Sequence, residues 1–154
     1  MNQGSLFGAD SGASAVAHID GGARGNPGPA GYGVHITRDD GAIVELKASI
    51  GIATNNVAEY RGLLAALTWA VQNNVAVLHI RSDSDLLVKQ MRGEYRVKHE
   101  GLKPLWQQAQ ALARRVGRVD FEHVRREVNT EADRLANEAM DAAAARPTMA
   151  PPDR

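Results

Sequence analysis

Three stretches near the start alternate between apolar and polar or small residues, the period of extended strands. They are AVAHID at 15–20, AGYGVHITRDD at 30–40 and GAIVELKASIGIA at 41–53. Asp39, Asp40 and Gly41 between the last two form a hairpin turn signal, so the three strands read as an antiparallel meander. The period then changes. Val57, Tyr60, Leu64, Leu67 and Val71 recur at steps of three and four and predict an amphipathic helix. Thr54, Asn55 and Asn56 offer capping oxygens before it, and Asn73–Asn74 end it. VAVLHIR at 75–81 is a β-branched strand, and SDSDLLVKQM at 82–91 begins a short helix that Gly93 stops. Leu102, Leu105, Ala109, Leu112 and Val116 define a third helix with Pro104 in its first turn, where proline is tolerated. VDFEHV at 119–124 is a fifth strand, and an Ala-rich helix runs from Thr130 to Ala145. The order β-β-β-α-β-α-α-β-α predicts an α/β fold, a five-stranded mixed sheet with three antiparallel N-terminal strands and helices on both faces.

Composition narrows the chemistry. The chain has 154 residues, 44% apolar and 23% charged, which fits one globular domain. That domain is expected over 15–145, between a disordered lead at 1–14 and an exposed proline-rich tail at 146–154. There is no cysteine, so a disulfide framework and a thiolate metal site are both excluded. A metal would sit on carboxylates, histidines or carbonyls, which favours hard ions such as Mg²⁺ or Mn²⁺. No apolar run approaches a membrane span, and the first residues lack the basic and apolar regions of a secretory signal, so a cytoplasmic location is expected. Net charge is zero, but basic residues gather in two groups: Arg92, Arg96, Lys98, His99 and Lys103, then Arg114, Arg115, Arg118, Arg125 and Arg126. Solvated faces explain such groups as readily as a polyanion does.

Four carboxylates stand out by position. Asp20 ends the first strand, Glu59 lies in the first turns of the long helix, Asp83 ends the fourth strand, and Asp133 lies in the first turn of the last helix. Each has a structural alternative. Glu59 follows Asn56 by three residues and Asp133 follows Thr130 by three, both capping-box spacings, while Asp83 could simply start a helix. Asp20 has none, because a strand end offers a carboxylate no cap to make. If the first and fourth strands are neighbours, all four acids meet at one sheet edge. Without metal they would repel one another and raise their own pKa values; two Mg²⁺ ions would reverse that.

At this point the chain resembles type 1 ribonucleases H, in the branch with archaeal-like and actinobacterial-like members that lack a basic protrusion. DGGARGNPGPAGYG at 20–33 looks like the family's DGSxxGNPGPxGxG opening, and TNNVAEYRGLLAAL at 54–67 resembles its TNN helix. IRSDSDLLV at 80–88 is similar to its TDS strand-to-helix turn, and VRREVNTEADRLANEAM at 124–140 to its closing N-x-x-A-D-x-L-A segment. Each motif carries one of the four acids. The resemblance implies a metal-dependent endonuclease that cuts the RNA strand of RNA–DNA hybrids and leaves 5′-phosphate and 3′-hydroxyl ends. It implies two metal ions per site, bridged by Asp20. Glu59 and Asp83 would hold the ion on the leaving-group side, and Asp133 the ion that orients the attacking water. Glu59 would also touch the RNA 2′-hydroxyl, which separates RNA from DNA. Gly21 and Gly22 would bring backbone close to the RNA. Asn26, Asn55 and Asn56 would read minor-groove edges and sugars, and Thr54 would hold a DNA phosphate. The implied partner is the hybrid, with double-stranded RNA open as a second substrate, no membrane, and a monomeric state.

Two departures from the family pattern stand out. Many bacterial members carry a histidine in a flexible loop before the last acid; here that loop is short and Arg126 takes the place. Arginine does not act as a base at ordinary pH, so phosphate contact or product release is its expected role. His123, nearby, falls in the strand pattern and reads as structural. The segment from Met91 to Leu102 is also too short for a basic protrusion, and Arg92, Arg96, Lys98 and Lys103 are expected to replace part of that grip. The rival readings are a non-catalytic nucleic-acid-binding module of the same fold, which would be expected to lack at least one acid, and a nucleotide-binding loop. GGARGNPGPAG matches no phosphate-loop pattern and leads into a strand, not a helix.

Overall fold

A computed structural model describes residues 13–145, so the expected lead and tail lie outside the described residues except for Ala13 and Ser14. Five strands, β1 (Ser14–Ala23), β2 (Gly28–Arg38), β3 (Ile43–Ala53), β4 (Val77–Ser82) and β5 (Arg118–His123), form one sheet in the order β3-β2-β1-β4-β5. The first three are antiparallel, and β4 and β5 join parallel to β1 and β4. Four α-helices surround the sheet: α1 (Asn55–Gln72), α2 (Asp85–Met91), α3 (Lys103–Val116) and α4 (Thr130–Ala144). Ser14 already belongs to β1, its N–H donating to the Asp39 carboxylate across the hairpin.

The hairpin tip falls where the turn residues predict, with Gly41 in the left-handed region at φ 90°. Alternation then sorts the faces. Ala15, Ala17 and Ile19 of β1, Val34 and Ile36 of β2, and Leu78 and Ile80 of β4 are buried with Leu63, Ala66, Leu67 and Ala70 of α1. The opposite face of β1–β3 is covered by α4, which approaches through two glycines of β2. A Cβ on Gly33 would stand 2.5 Å from Leu135 Cβ, and one on Gly31 2.6 Å from Ala139 Cβ. The second and fourth residues of AGYG are therefore the seat of α4.

The central feature for the site is where the β1–β4 ladder stops. Its last pair is Ile19 with Ser82, while β1 continues beside β2 as far as Ala23. Asp20 is thus not the end of its strand, as the sequence pattern predicts. It is the first β1 residue with no β4 neighbour, and Asp83 is the residue just past the end of β4. A parallel ladder that ends at that pair leaves two carboxylates side by side at the mouth of the sheet.

Candidate active site

Each acid is freed by a neighbour that takes over the local structural task. At the end of β4, Ser82 Oγ accepts from the Ser84 N–H at 3.0 Å, and Ser84 Oγ accepts from the Leu87 N–H at 3.2 Å to cap α2. The serines close the turn and Asp83 is left over. On α1 the cap is Thr54, whose Oγ1 accepts from the Val57 N–H at 3.3 Å. Glu59 therefore sits beyond the first turn, and the capping-box reading from Asn56 does not hold. On α4 the cap position is Asn129, not Thr130, so Asp133 also makes no capping box. Asn129 is fully buried, and its Nδ2 donates 2.9 Å to the carbonyl of Ile19, the residue before Asp20. That bond ties the start of α4 to β1 and brings Asp133, one turn on, up to Asp20.

Carboxylate oxygens of Asp20, Glu59 and Asp83 lie within 4.8 Å of one another. Asp133 borders the same cleft, of about 420 Å³, from the Asp20 side. The expected convergence of four acids is present. Burial, the nearby Asp83 charge and a hydrogen bond with Asp133 push the Asp20 carboxyl up to about 8. Burial raises Glu59 to about 7, against a hydrogen bond from Ser84 that favours its anion. Oδ2 of Asp83 is buried and has no hydrogen-bond partner; the nearest cation is Arg126, with Nε 4.0 Å away on an 83% exposed side chain. An orphaned anionic oxygen inside a group of three carboxylates, with no thiol or buried cation among them, is a donor set suited to hard divalent cations. Asp20, Glu59, Asp83 and Asp133 fit such ions.

The remaining expected residues divide. Gly21 and Gly22 border the cleft, but their missing side chains serve the protein first. A Cβ on Gly21 would stand 2.5 Å from Ala58 O and Glu59 N, so this glycine is what lets α1, and with it Glu59, approach β1. A Cβ on Gly22 would press only on the flexible end of Met140, at 3.2 Å, with Asn55 Oδ1 at an ordinary 3.8 Å. Asn26 and Asn55 clamp the β1–β2 turn to α1: Asn26 Oδ1 accepts from the Asn55 N–H at 3.0 Å, and Asn55 Oδ1 accepts from the Ala23 N–H at 2.8 Å. Both oxygens are used, and both side-chain NH₂ groups remain as donors. Asn56 faces a separate cavity beside Arg96, Lys98 and His99. Of the four cations expected there, Arg92 donates to the Phe121 carbonyl at 2.6 Å and Lys103 pairs with Glu100 at 2.8 Å, whereas Arg96 and Lys98 form no salt bridge among the described residues. The second basic group is not one patch. Arg118 opens β5 and Arg125 follows its end, so the length of the strand, about 17 Å, separates them. His123 ends β5, exposed, with Nδ1 3.9 Å from Asp85 Oδ1, outside the cleft lining.

Three cleft residues carry no mark in the sequence reading. Asn137 lies one helical turn after Asp133, donating 2.8 Å to the Asp133 carbonyl with its Oδ1 toward no protein partner; the spacing of four is the signal that finds it. Arg24 pairs with Asp141 at 2.7 Å and pins the turn to α4, and Met140 packs beside Gly22.

Comparison with known proteins agrees with this geometry. A family described as "Reverse transcriptase-like" matches residues 18–139. Ribonuclease HI of Halobacterium salinarum is 40% identical over 133 residues, 86% of this chain and 67% of that protein. The bifunctional protein Rv2228c of Mycobacterium tuberculosis is 54% identical over 131 residues, 84% of this chain and 36% of that protein, so the chain spans about a third of that relative's length. The solved N-terminal RNase H domain of Rv2228c superposes with a TM-score of 0.82 at 52% identity, covering 86% of this chain and 96% of that one. LC11-RNase H1, solved in complex with an RNA/DNA hybrid, gives a TM-score of 0.79 at 43% identity over 84% of this chain and 99% of that one. The chain belongs to the type 1 ribonuclease H family.

Proposed function

We propose that this chain hydrolyses the RNA strand of RNA–DNA hybrids with two divalent cations, Mg²⁺ or Mn²⁺, leaving 5′-phosphate and 3′-hydroxyl ends. The observation that carries the reading is the convergence of Asp20, Glu59 and Asp83 within 4.8 Å, with a buried Asp83 oxygen that no protein group satisfies. When bound, the cations supply the charge that activates water and stabilises the leaving oxygen. The protein's own part is placement. Asp20, with Glu59 and Asp83 on one side and Asp133 on the other, would be the ligand that both ion positions share. Glu59 and Asp83 would complete one position and Asp133 the other, with Asn137 beside it in the cleft lining. Glu59, half-buried at the cleft floor, also accepts a hydrogen bond from the ribose 2′-hydroxyl. The free NH₂ groups of Asn26 and Asn55 donate into the minor groove, and the Thr54 hydroxyl donates to a DNA phosphate. The reading is tested by incubating end-labelled RNA–DNA hybrid, double-stranded RNA and single-stranded RNA with the protein and Mg²⁺ or Mn²⁺. Cleavage of the hybrid RNA strand is expected under at least one ion. Cleavage of single-stranded RNA at the same rate as hybrid would refute it, and cutting of double-stranded RNA would define a second substrate.

Arg126 is exposed with its Nε 4.0 Å from Asp83 Oδ2, which supports a role in contacting the scissile or departing phosphate. Arg126→Ala is expected to slow turnover about tenfold, the loss of one charge-assisted contact, with the metal dependence unchanged. An unchanged turnover number removes Arg126 from the site. The hybrid's DNA strand passes over Asn56 toward Arg96 and Lys98. Replacing both cations with alanine is expected to weaken binding about equally for all hybrid sequences and to flatten the logarithmic salt dependence of affinity by about 1–2. Affinity titrations across a salt series read the change directly.

A further inference from the structure

Along one flank of α1 the residues Arg61, Leu64, Ala65, Thr68, Trp69 and Gln72 recur at helical spacing; Trp69, Leu64 and Ala65 pack on the margin of the core, while Arg61, Thr68 and Gln72 are exposed. With Tyr32 of β2 and Leu46 of β3 they line a groove of about 340 Å³. Its far wall is β3, which among the described residues pairs only with β2 and leaves its outer edge unpaired. The groove floor is apolar, and no carboxylate lines it. Each end carries an arginine that forms no salt bridge among the described residues. Arg61 is exposed at one end; at the other Arg38 lies over the Trp69 ring, 5.4 Å from its centroid. The nearest carboxylate to Arg38 along the chain, Asp39, accepts from the Ser14 N–H instead.

We propose that this groove is a docking surface for an acidic, apolar peptide segment of a partner protein. An unpaired strand edge beside a hydrophobic stripe is the geometry of strand addition, in which main-chain bonds give affinity and alternate side chains enter the groove. Arginine is among the residues that most often carry interface energy, and Arg61 is exposed on the groove lining. Eleven residues of helix between Arg61 and Gln72 span about 16 Å, the length of about five extended residues. The matching segment has apolar side chains at its centre and carboxylates at both ends, one for each arginine. A nucleic-acid strand fits less well, because base stacking needs an open aromatic face, whereas Trp69 is only 9% exposed and Arg38 covers its ring. The surface is separate from the four-acid cleft, so a docked partner leaves the hybrid path free.

The probe is a fluorescein-labelled peptide Asp-Asp-Leu-Ser-Phe-Asp-Asp, titrated with the full chain and followed by polarisation at low and moderate salt. Saturable binding in the micromolar range is expected, weaker at higher salt and lost at least tenfold in Arg61→Glu and in a peptide with Leu and Phe changed to Ala. Arg61→Glu folds as the wild type because the side chain is exposed, and its hybrid cleavage is expected to be unchanged. Leu64→Arg, which fills the groove while leaving both arginines, is expected to abolish binding as well. No binding at millimolar protein, equal binding by Arg61→Glu and Leu64→Arg, or displacement of the peptide by single-stranded DNA would overturn the proposal.

Discussion

Asp20→Asn is expected to cut hybrid cleavage at least about a thousandfold while making the metal-free protein more stable than wild type at pH 8. The two effects have one origin. In the proposed mechanism Asp20 would be the carboxylate shared by both ion positions, and losing a ligand there would remove several kcal/mol of charge stabilisation from the reaction. The same carboxyl is buried beside Asp83 and Asp133, which raises it to about 8 in the folded chain. A carboxyl whose folded pKa exceeds its unfolded value stabilises the fold at low pH and loses that contribution as pH rises through the folded value. Wild-type stability without metal therefore falls between about pH 4 and pH 8, and Glu59, raised to about 7, adds to the fall in the same window. Asparagine removes one of the two contributions. Thermal unfolding in chelator is expected to place the variant above wild type at pH 8, by on the order of 2 kcal/mol, with the gap closing toward pH 4. Mg²⁺ raises the wild-type midpoint and leaves that of the variant nearly unmoved. A variant less stable than wild type at pH 8 would mean that Asp20 makes a structural bond, not an unrelieved repulsion.

Gly21→Ala is the second large effect, on stability and activity together. The added methyl would stand 2.5 Å from Ala58 O and Glu59 N, backbone atoms that cannot rotate away. Either α1 shifts or β1 bends, at a cost of about 2–4 kcal/mol. Because Glu59 rides on the displaced turn, cleavage is expected to fall well below the change in folded fraction. Gly22→Ala supplies the contrast. Its methyl crowds Met140, whose flexible end swings aside, and meets Asn55 Oδ1 at an ordinary van der Waals distance, so the cost is expected to stay under about 1 kcal/mol. Denaturant titration of the two variants reads the difference, and equal costs would contradict the packing account.

Much of this architecture is legible in the hydrophobic pattern because strands and helices here keep clean periods. The meander, the α1 helix and the short helix stopped by Gly93 form where the pattern places them, but the buried face of α1 runs through Tyr60, Leu63, Ala66, Leu67 and Ala70, with the expected Val57, Leu64 and Val71 only partly buried at its margin. What the pattern does not carry is which neighbour a residue has. Asp20 reads as a strand end, yet β1 runs to Ala23 beside β2, and only the missing β4 pairing opens its side. Glu59 and Asp133 both sit three residues after a plausible cap, but Thr54 and Asn129 occupy the real cap positions, a choice that local spacing leaves degenerate. Gly21 reads as clearance for nucleic acid, whereas the contact that forbids its side chain comes from α1, distant along the chain. Asn129 looks like an ordinary polar residue before a helix, and only the fold reveals that it is buried against the Ile19 carbonyl. The five arginines at 114–126 are close in sequence and divided in space by β5.

The central claim is that these four carboxylates are the hydrolytic machinery. It is tested most directly by single-turnover cleavage of a 5′-labelled RNA–DNA hybrid in Mg²⁺ or Mn²⁺ by wild type and by Asp20→Asn, Glu59→Gln, Asp83→Asn and Asp133→Asn. Wild type is expected to cut the RNA strand to fragments ending in 3′-hydroxyl, and each amide variant to be at least about a hundredfold slower with its fold intact. Wild type leaving the hybrid whole, or an Asp20 or Asp83 variant cutting at the wild-type rate, would contradict the account.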